Sequence, residues 1–392
     1  MSKANFQYKI AVLFEGDINK IRGEFTAIHN RVKELKKDVK YNIDVYIFDS
    51  YFGDITCRLK GIDKKQKPSS FSFDGINYNC RWYKRSLIDY IFRIYLKDST
   101  SIEINRVCYY INLFKEYDLL YTNSLKTGVL ASRLKQEFKI PYISVWHGSS
   151  IHTAPFMYKQ TRKATIKVLE NADMNLFVSD ELVSLAGLLT KKIIGKVSYN
   201  GIDTNVFKQC SAYEKLLLRK KFAISETDKC VAFVGNCLPI KNISYLPKLF
   251  SAISKQIPNT SFYILGKGEF TSLFNGCDIS VKNIEVLNTE MPLWYNCMDL
   301  IVMPSFKEGL PMTCLEATAC GTPFIGSRVG AISDVVGIEN TVPHNNNFEE
   351  KFAELCVKRL NNKCNVVLPE KFVLETIVKK EKEIIDTILK PL

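Results

Sequence analysis

Residues 299–336 read DLIVMPSFKEGLPMTCLEATACGTPFIGSRVGAISDVV, and this stretch decides the fold. Its apolar run at 300–303 predicts a short strand that is buried on both faces. Pro311 suits the first turn of a helix, because proline lacks an N–H that this turn leaves unpaired anyway. Gly321 is placed to end that helix, and a second strand is expected over 322–326. The stretch therefore predicts the repeating unit of a parallel α/β sheet.

The loop before this helix combines an anion site with carboxylates. Free amides near Met312 and Thr313, together with the positive end of the helix dipole, favour a phosphate or another anion. Glu308 precedes the helix, and Glu316 projects from its body. This combination fits a ligand with hydroxyls and phosphates, since carboxylates accept hydrogen bonds from sugar hydroxyls. From spacing alone, an ordinary α/β unit with surface glutamates is an equal interpretation.

The motif E-G-L-P-M-T-C-L-E-A-x-A-C-G-T-P-x-I-G-S-x-V-G at 308–330 resembles the signature of glycosyltransferase family 4, also called glycosyl transferases group 1. Members of that family are retaining enzymes, and a glutamate pair separated by seven residues is their hallmark. Here that pair is Glu308 and Glu316. The resemblance implies an α/β protein with the GT-B fold, in which two Rossmann-like parallel α/β domains face each other across a cleft.

The resemblance also implies how the chain is divided. The segment KVSYNGIDTNVF at 196–207 is similar to the segment that joins the two domains in this family. We expect an acceptor-side domain over 1–197, completed by a returning helix at about 372–392. A nucleotide-sugar-binding domain is expected over 198–371.

In the first half, the order strand, loop, helix, strand over 8–48 is typical of a Rossmann opening. Gly23 lies at the start of that helix, where the family often has a pair of glycines. Asp74-Gly75 predicts the turn of a hairpin. The segment LIDYIFRIYL at 87–96 predicts a core helix, and an amphipathic helix facing a membrane or the acceptor is the alternative.

A predicted strand at 143–146 ends in the sequence WHGSSIH. Ligands of parallel α/β sheets bind beyond the carboxyl ends of the strands, so an imidazole here could reach a substrate. A single histidine is more often structural. The family resemblance instead implies that His147 lies beside the transferred sugar.

The loop GNCLPIKN at 235–242 corresponds to the family's diphosphate clamp, in which Gly-Arg is followed five residues later by Lys. Here Gly235, Asn236 and Lys241 occupy those positions. Asparagine can donate a hydrogen bond but cannot neutralise charge. One cation therefore remains where the family has two.

Composition narrows the choice of partner and compartment. The net charge of +13 favours an anionic membrane surface, nucleic acid or a phosphorylated ligand, and a lysine-rich surface without a partner is an equal explanation. The 12 cysteines include no CxxC pair, which disfavours zinc and predicts free thiols in a reducing compartment. No signal peptide and no apolar run of about 18 residues are apparent. We expect a cytoplasmic protein, at most peripheral on the inner membrane face.

We therefore expect a retaining hexosyltransferase that moves a sugar from a nucleotide-sugar donor, UDP-sugars foremost, to a glycan or lipid-linked glycan in cell-envelope or capsular polysaccharide synthesis. The resemblance implies catalytic roles for His147 and Glu308. The implied donor-binding residues are Gly23, Gly235, Asn236, Lys241, Gly309, Leu310, Met312, Thr313 and Glu316. No DxD-type metal site is evident, so we expect neither a cofactor nor an obligatory metal.

Two other classes of function remain open. One is a different GT-B sugar-nucleotide enzyme, such as an epimerase or a phosphorylase. The other is a non-catalytic protein that binds anions or nucleic acid, which the positive charge suggests. Nucleic acid is not expected as a partner if the chain is a transferase.

Overall fold

The computed structural model describes residues 8–18, 23–86, 89, 94–95, 100–148, 151–362 and 364–390. The chain forms two compact units, one of Met1–Tyr199 with Ile377–Leu392 and one of Asn200–Thr376. The predicted boundaries, after residues 197 and 371, lie a few residues before these. The predicted helix LIDYIFRIYL falls mostly outside the described residues.

The first unit is built on a parallel sheet. Its strands are β1 Tyr8–Glu15, β2 Tyr41–Phe52, β3 Ser70–Phe73, β4 Ile76–Arg85, β5 Leu119–Thr122, β6 Tyr142–Trp146, β7 Met174–Phe177 and β8 Gly195–Val197. Among the described residues they form one sheet in the order β3-β4-β2-β1-β5-β6-β7-β8. β3 is antiparallel to β4, and the other pairs are parallel.

The helices of the first unit follow the strands in alternation. They are α1 Gly23–Leu35, α2 Asp54–Lys60, α3 Thr100–Cys108, α4 Leu125–Phe138, α5 Ala154–Met157, α6 Lys159–Asn171 and α7 Asp180–Leu189. Serine caps two of the turns from strand to helix, because its side chain accepts a hydrogen bond from an amide of the first helical turn. Ser124 accepts from Thr127 before α4, and Ser179 accepts from Leu182 before α7. Each cap fixes where the helix starts at the carboxyl edge of the sheet.

The second unit is also built from a sheet and helices that connect its strands. Its strands are β9 Lys229–Val234, β10 Thr260–Leu265, β11 Val281–Ile284, β12 Leu300–Met303, β13 Phe324–Ser327 and β14 Thr341–Val342. Its helices are α8 Ala212–Lys221, α9 Leu246–Gln256, α10 Met291–Cys297, α11 Met312–Ala319, α12 Ile332–Val336 and α13 Phe348–Asn361. The last helix, α14 Leu374–Leu389, begins in this unit, and its residues from Ile377 onward belong to the first.

The sheet of the second unit has the order β11-β10-β9-β12-β13-β14, and all its pairs are parallel. Counted along the unit, this is the Rossmann order 3-2-1-4-5-6, in which the direction of winding reverses between the first and fourth strands. In the first unit the reversal lies between β1 and β5. Such reversals open a crevice beyond the carboxyl ends of the two strands, where ligands of these folds bind.

Burial explains why the strand segments read as unbroken apolar runs. β12 is buried along its whole length, as are β5 and β6. A parallel strand covered by helices on both sheet faces needs apolar side chains in both directions. Hydrophobic burial on this scale is the main force that stabilises each unit.

Two local predictions can be compared directly with the structure. The hairpin is confirmed, because β3 and β4 are joined by Asp74 and Gly75, both with positive φ as a two-residue turn requires. The apolar residues at 284–287 predict a strand there, and this prediction is wrong, since β11 covers Val281–Ile284. Pairing with β10 determines this register, and the local apolar pattern does not reveal it.

Candidate active site

An ion pair joins the two loops at the reversal point of the second unit. Lys241 ends a short 3₁₀ turn in the loop after β9, and Glu308 lies in the loop after β12. The Lys241 Nζ donates to Glu308 Oε1 at 2.7 Å, and the two side chains are 20% and 11% exposed. The predicted phosphate ligand and the predicted catalytic carboxylate are therefore brought together. Their pairing was not foreseen from the sequence.

The loop that carries Glu308 is fixed by a close approach of backbone. Gly330 has a φ of +56°, and a Cβ at this position would lie 2.0 Å from the Gly309 carbonyl oxygen. The same oxygen accepts a hydrogen bond from the Ala331 amide at 2.8 Å. Only glycine permits both the backbone conformation and the contact. Gly330, the last residue of the motif quoted above, thus holds Glu308 and Gly309 in position.

The loop after β9 has a similar dependence on glycine. Gly235 has a φ of +153°. A Cβ on Gly266 would lie 2.0 Å from the carbonyl oxygen of Gly235. Asn236 is exposed, so its amide can reach a ligand in solution. Lys241 is the cation of this loop that the structure pairs with a carboxylate.

Helix α11 starts one residue later than predicted. Pro311 precedes the helix with an extended ψ of 129°, so its placement within the first turn was wrong. The first helical bond runs from the Cys314 amide to the Pro311 carbonyl at 3.1 Å, and the amides of Met312 and Thr313 precede it. Leu310 is buried, and its carbonyl accepts from Asn200 Nδ2 at 3.3 Å. The helix N-terminus therefore lies beside the loop of Glu308, as the anion-site prediction requires.

Glu316 sits inside the second unit with a defined partner. Its Oε2 accepts a hydrogen bond from the Tyr295 hydroxyl at 2.7 Å. Burial raises the pKa of the Glu316 carboxyl to about 7, although the hydrogen bond from Tyr295 lowers it. A carboxyl with this pKa is partly protonated near neutral pH, so a ligand hydroxyl that donates to it would favour the ionised form.

In the first unit, His147 follows β6 and contacts a residue that follows β5, the strand paired with β6. Its Nε2 lies 3.0 Å from the Oδ1 of Asn123, which follows β5. Because an amide oxygen only accepts, this contact places the proton of the imidazole on Nε2 and leaves Nδ1 as an acceptor. Nδ1 is buried and has no partner among the described residues. Burial, and to a smaller extent the Arg31 guanidinium, lowers the pKa of His147 to about 3.

A buried network lies close to this histidine. Arg31 of α1 approaches Glu381 of α14, with 3.1 Å between Nε and Oε2. The Tyr121 hydroxyl donates to the same oxygen at 2.8 Å. The carboxylate thus compensates a guanidinium that is almost fully buried, which would otherwise be costly. Gly23, the remaining predicted donor residue, is the exposed first residue of α1.

Sequence reasoning missed three residues that lie beside the predicted site residues: Asn123 and Glu381 in the first unit, and Tyr295 in the second. Asn123 follows a buried strand, so the rule that pointed to His147 could have found it. Nothing local to Tyr295 or Glu381 marks them, because their partners are distant in sequence. No group of three or more His, Cys, Asp or Glu side chains in the described ranges could hold a metal ion.

Comparison with known proteins relates part of the chain to a family. Residues 228–362 match the family model described as Glycosyl transferases group 1. That match covers 135 of the 392 residues, all of them in the second unit. Matches to individual relatives are partial, and the chain spans about three fifths or less of the length of the first relatives that it resembles.

Two relatives show how much of the chain is similar to an individual protein and at what sequence identity. The chain is 25% identical over 237 residues to an uncharacterised glycosyltransferase of Methanocaldococcus jannaschii, covering 56% of the chain and 60% of the relative. It is 26% identical over 257 residues to an Escherichia coli UDP-Gal:α-D-GlcNAc-diphosphoundecaprenol α-1,3-galactosyltransferase, covering 60% of the chain and 63% of that enzyme.

Solved structures confirm the GT-B fold. The structure resembles sucrose-phosphate synthase of Thermosynechococcus elongatus with a TM-score of 0.69 at 16% identity, over 97% of this chain and 99% of that one. It resembles HepE of Anabaena, solved with UDP-glucose, with a TM-score of 0.67 at 17% identity, over 96% of this chain and 99% of that one. At these identities the likeness concerns the fold alone.

Replacing Gly330 by alanine should damage the loop of Glu308. Gly276 provides a matched control, because it also has a positive φ, and a Cβ there would meet no described atom within 4 Å. Both variants share the cost of a left-handed alanine, and Gly330→Ala adds an overlap with the Gly309 carbonyl. We expect Gly330→Ala to lower the free energy of unfolding by about 1–3 kcal/mol more than Gly276→Ala. Urea titration measures the difference, and equal losses would contradict the assigned contact.

His147 should remain a neutral imidazole in mildly acidic solution. Its folded pKa of about 3 lies below the ordinary value of 6.5, so its neutral form stabilises the fold above pH 6.5. That contribution is lost as the pH falls towards 3. We expect ¹⁵N NMR of histidine-labelled protein to show the Nε2–H tautomer at pH 5, with His147→Asn used to assign the resonance. An imidazolium signal from His147 at pH 6 would refute this expectation.

Proposed function

We propose that this protein transfers a hexose from a nucleotide-sugar donor, a UDP-sugar foremost, to a glycan or lipid-linked glycan acceptor. The observation that carries the proposal is the Lys241–Glu308 pair at the reversal point of the second sheet, beside the N-terminus of α11. This is the place where Rossmann-type folds bind nucleotides.

The diphosphate of the donor would be held by fixed positive charge. A lysine ammonium has three N–H donors, so Lys241 can keep its contact with Glu308 and still donate to a phosphate oxygen. The amides of Met312 and Thr313 would bind the other oxygens. As the bond to the sugar breaks, negative charge grows on the leaving diphosphate. These donors are already in place to stabilise it, which lowers the barrier.

Carboxylates and the histidine would orient the two sugars of the donor. In this proposal Glu308 accepts hydrogen bonds from hydroxyls of the transferred sugar, and Glu316 accepts from the ribose hydroxyls. In the first unit, His147 Nδ1 is buried and has no partner among the described residues, which leaves it as an acceptor for a sugar hydroxyl. The bond from the anomeric carbon to the diphosphate oxygen breaks, and the acceptor hydroxyl attacks that carbon on the same face. The hydroxyl passes its proton to the departing diphosphate oxygen, and the anomeric configuration is retained.

The comparisons support this choice of substrates. The Escherichia coli relative is named for UDP-galactose and a diphosphoundecaprenol-linked acceptor, and the HepE structure contains UDP-glucose. The Bacillus subtilis relative, 27% identical over 224 residues, is named as a putative teichuronic acid biosynthesis glycosyltransferase. By analogy, we propose a role in cell-envelope or capsular polysaccharide synthesis.

A donor screen tests the proposal. We expect nucleotide release from one class of a UDP-, GDP- and ADP-sugar panel, with no change when a chelator is added. Glu308→Ala should lower turnover by about 100-fold or more, because an oriented polar contact at the reacting sugar is lost. UDP binding, measured by calorimetry, should persist, since Lys241 is then free of its partner.

Glu350→Ala is the matched control, because Glu350 is an exposed carboxylate in the first turn of α13. It should retain wild-type turnover. Near-wild-type turnover of Glu308→Ala would remove the assigned role of this residue. Absence of nucleotide release from every donor would overturn the proposed function. Rearranged donor without transfer would instead indicate an epimerase.

We also propose that the protein works in the cytoplasm and binds the anionic face of a membrane peripherally. Along the described ranges, no helix is long and apolar enough to cross a bilayer. Ile55 and Leu59 of α2 are 73% and 70% exposed and lie one helical turn apart, with Arg58 beside them. Exposed aliphatic and basic side chains together suit the surface of an anionic bilayer.

Sedimentation with vesicles checks the membrane proposal. At low salt the wild type should pellet with phosphatidylglycerol vesicles and remain in solution with phosphatidylcholine vesicles. Ile55→Asp with Leu59→Asp should pellet less, because the substitutions remove apolar contact and add negative charge. The substitution Val367→Asp, at an exposed valine of the second unit, is the control. Equal sedimentation with both lipids would contradict the proposal.

A further inference from the structure

Two loops at the carboxyl edge of the second sheet present exposed apolar side chains. Leu238 and Ile240 lie in the loop after β9 and are 46% and 42% exposed. Phe306 lies in the loop after β12 and is 49% exposed. The donor chemistry proposed above gives none of the three a role. A single exposed apolar residue needs no explanation, but three on two adjoining loops form a patch, which we call the Phe306 patch.

The two loops are joined at two neighbouring points. The Phe306 amide donates to the Ile240 carbonyl at 2.9 Å. Lys241, the next residue of the first loop, forms the ion pair with Glu308. Phe306 and Glu308 are two residues apart, so their Cα atoms are separated by at most about 7 Å. The phenyl ring therefore starts from backbone that lies beside the carboxylate proposed to bind the transferred sugar.

A row of aromatic rings leads from the hydrophobic core to Phe306. Phe348, the first residue of α13, is a buried member of that core. Its ring stacks on the ring of His344 with 4.1 Å between centroids. The His344 ring in turn lies 5.2 Å from the ring of Phe306. Phe306 is therefore supported by packing, although about half of it is exposed.

The peptide unit that joins Ser305 to Phe306 is held at both of its polar groups. The Nε2 of His344 lies 2.9 Å from the Ser305 carbonyl oxygen. Because a carbonyl oxygen only accepts, Nε2 carries a proton and donates it. The N–H of the same peptide unit is the one that binds the Ile240 carbonyl. The backbone from which the phenyl ring projects is thus fixed, and a ligand that meets the ring has less ordering to pay for.

The stability of the second unit does not explain an aromatic side chain at this position. About half of Phe306 stays in water, and Leu238 and Ile240 are similarly exposed. Polar side chains at these places would lose little buried apolar area and would avoid the contact of hydrocarbon with water. A ligand with an apolar face would cover the patch and remove it from water. Binding therefore gives a reason for these residues that folding does not.

The place of the patch indicates which part of a nucleotide sugar it would meet. In the proposed function Glu316, further along in the body of α11, binds the ribose, so the ribose and the base lie towards Glu316. The transferred sugar lies towards Glu308, which is the carboxylate beside Phe306. A hexose carries its hydroxyls at the rim of the ring and C–H bonds on its faces. One face can therefore pack on a phenyl ring while hydroxyls at the rim reach a carboxylate.

We propose that the Phe306 patch binds a C–H face of the transferred hexose, with the Phe306 ring as its main contact. This inference rests on the proposed transferase function, and it adds a residue that determines affinity for the sugar part of the donor. Glu308 distinguishes the hydroxyls at the rim of the hexose. Phe306 distinguishes the arrangement of C–H bonds on its face, which differs between epimers.

Calorimetry on the full chain tests the contact without turnover. The probes are UDP, UDP-glucose, UDP-galactose and UDP-N-acetylglucosamine. We expect at least one UDP-sugar to bind the wild type. Phe306→Ala should weaken the binding of that UDP-sugar about tenfold and leave the binding of UDP unchanged, because only the sugar loses its aromatic contact. Phe306→Tyr keeps the ring and should recover most of the affinity.

Ile338→Ala is the matched control. Ile338 is an exposed apolar residue of the same unit, and it precedes β14 at the opposite edge of the sheet. This variant should bind every probe as the wild type does. Equal affinity of wild type and Phe306→Ala for the UDP-sugar would overturn the inference. So would an equal loss for UDP and UDP-sugar, which would indicate stacking on the base, or a failure of Phe306→Tyr to recover binding. A wild type that binds neither UDP nor any UDP-sugar would instead overturn the proposed function.

Discussion

Parallel strand pairing is the constraint on which the rest of the structure depends. In a parallel sheet all carboxyl ends meet at one edge, so the loops that follow different strands become neighbours. Lys241 and Glu308 meet in this way although 67 residues separate them. Glu15 and Lys126 meet by the same rule across 111 residues. The order of the parallel strands is therefore sufficient to bring these charged groups together.

The two reversal points differ in the charged groups that they carry. In the second unit, a single lysine and a helix N-terminus supply positive charge, and Asn236 stands where the family has an arginine. A diphosphate there depends more on backbone amides than on cations. Around Lys126 in the first unit, two cations, Lys126 and Arg85, pair with two carboxylates, Glu15 and Glu103.

Much of the fold could be predicted from the sequence, because burial and local capping leave periodic marks. The motif after β12 indicated the GT-B fold, which the solved structures confirm, and it lies within the residues that match the family model. Strand β11 was misplaced because its register depends on β10, which is remote from the local pattern. Side-chain pairs such as Tyr295–Glu316 could not be predicted for the same reason, since the two residues lie on different helices. The order of elements along a chain does not specify which side chains meet.

All twelve cysteines are free thiols, so no covalent cross-link holds either unit together. Burial raises the pKa of Cys230 to about 11 and that of Cys297 to about 12, which leaves almost no reactive thiolate at neutral pH. Cys237 differs in place, because it is partly exposed in the loop between Asn236 and Lys241. A small fluorophore attached there would report on the environment of the diphosphate loop. Cys210, Cys277 and Cys364 are also partly exposed, so replacing these three would leave Cys237 as a labelling position beside the proposed donor site.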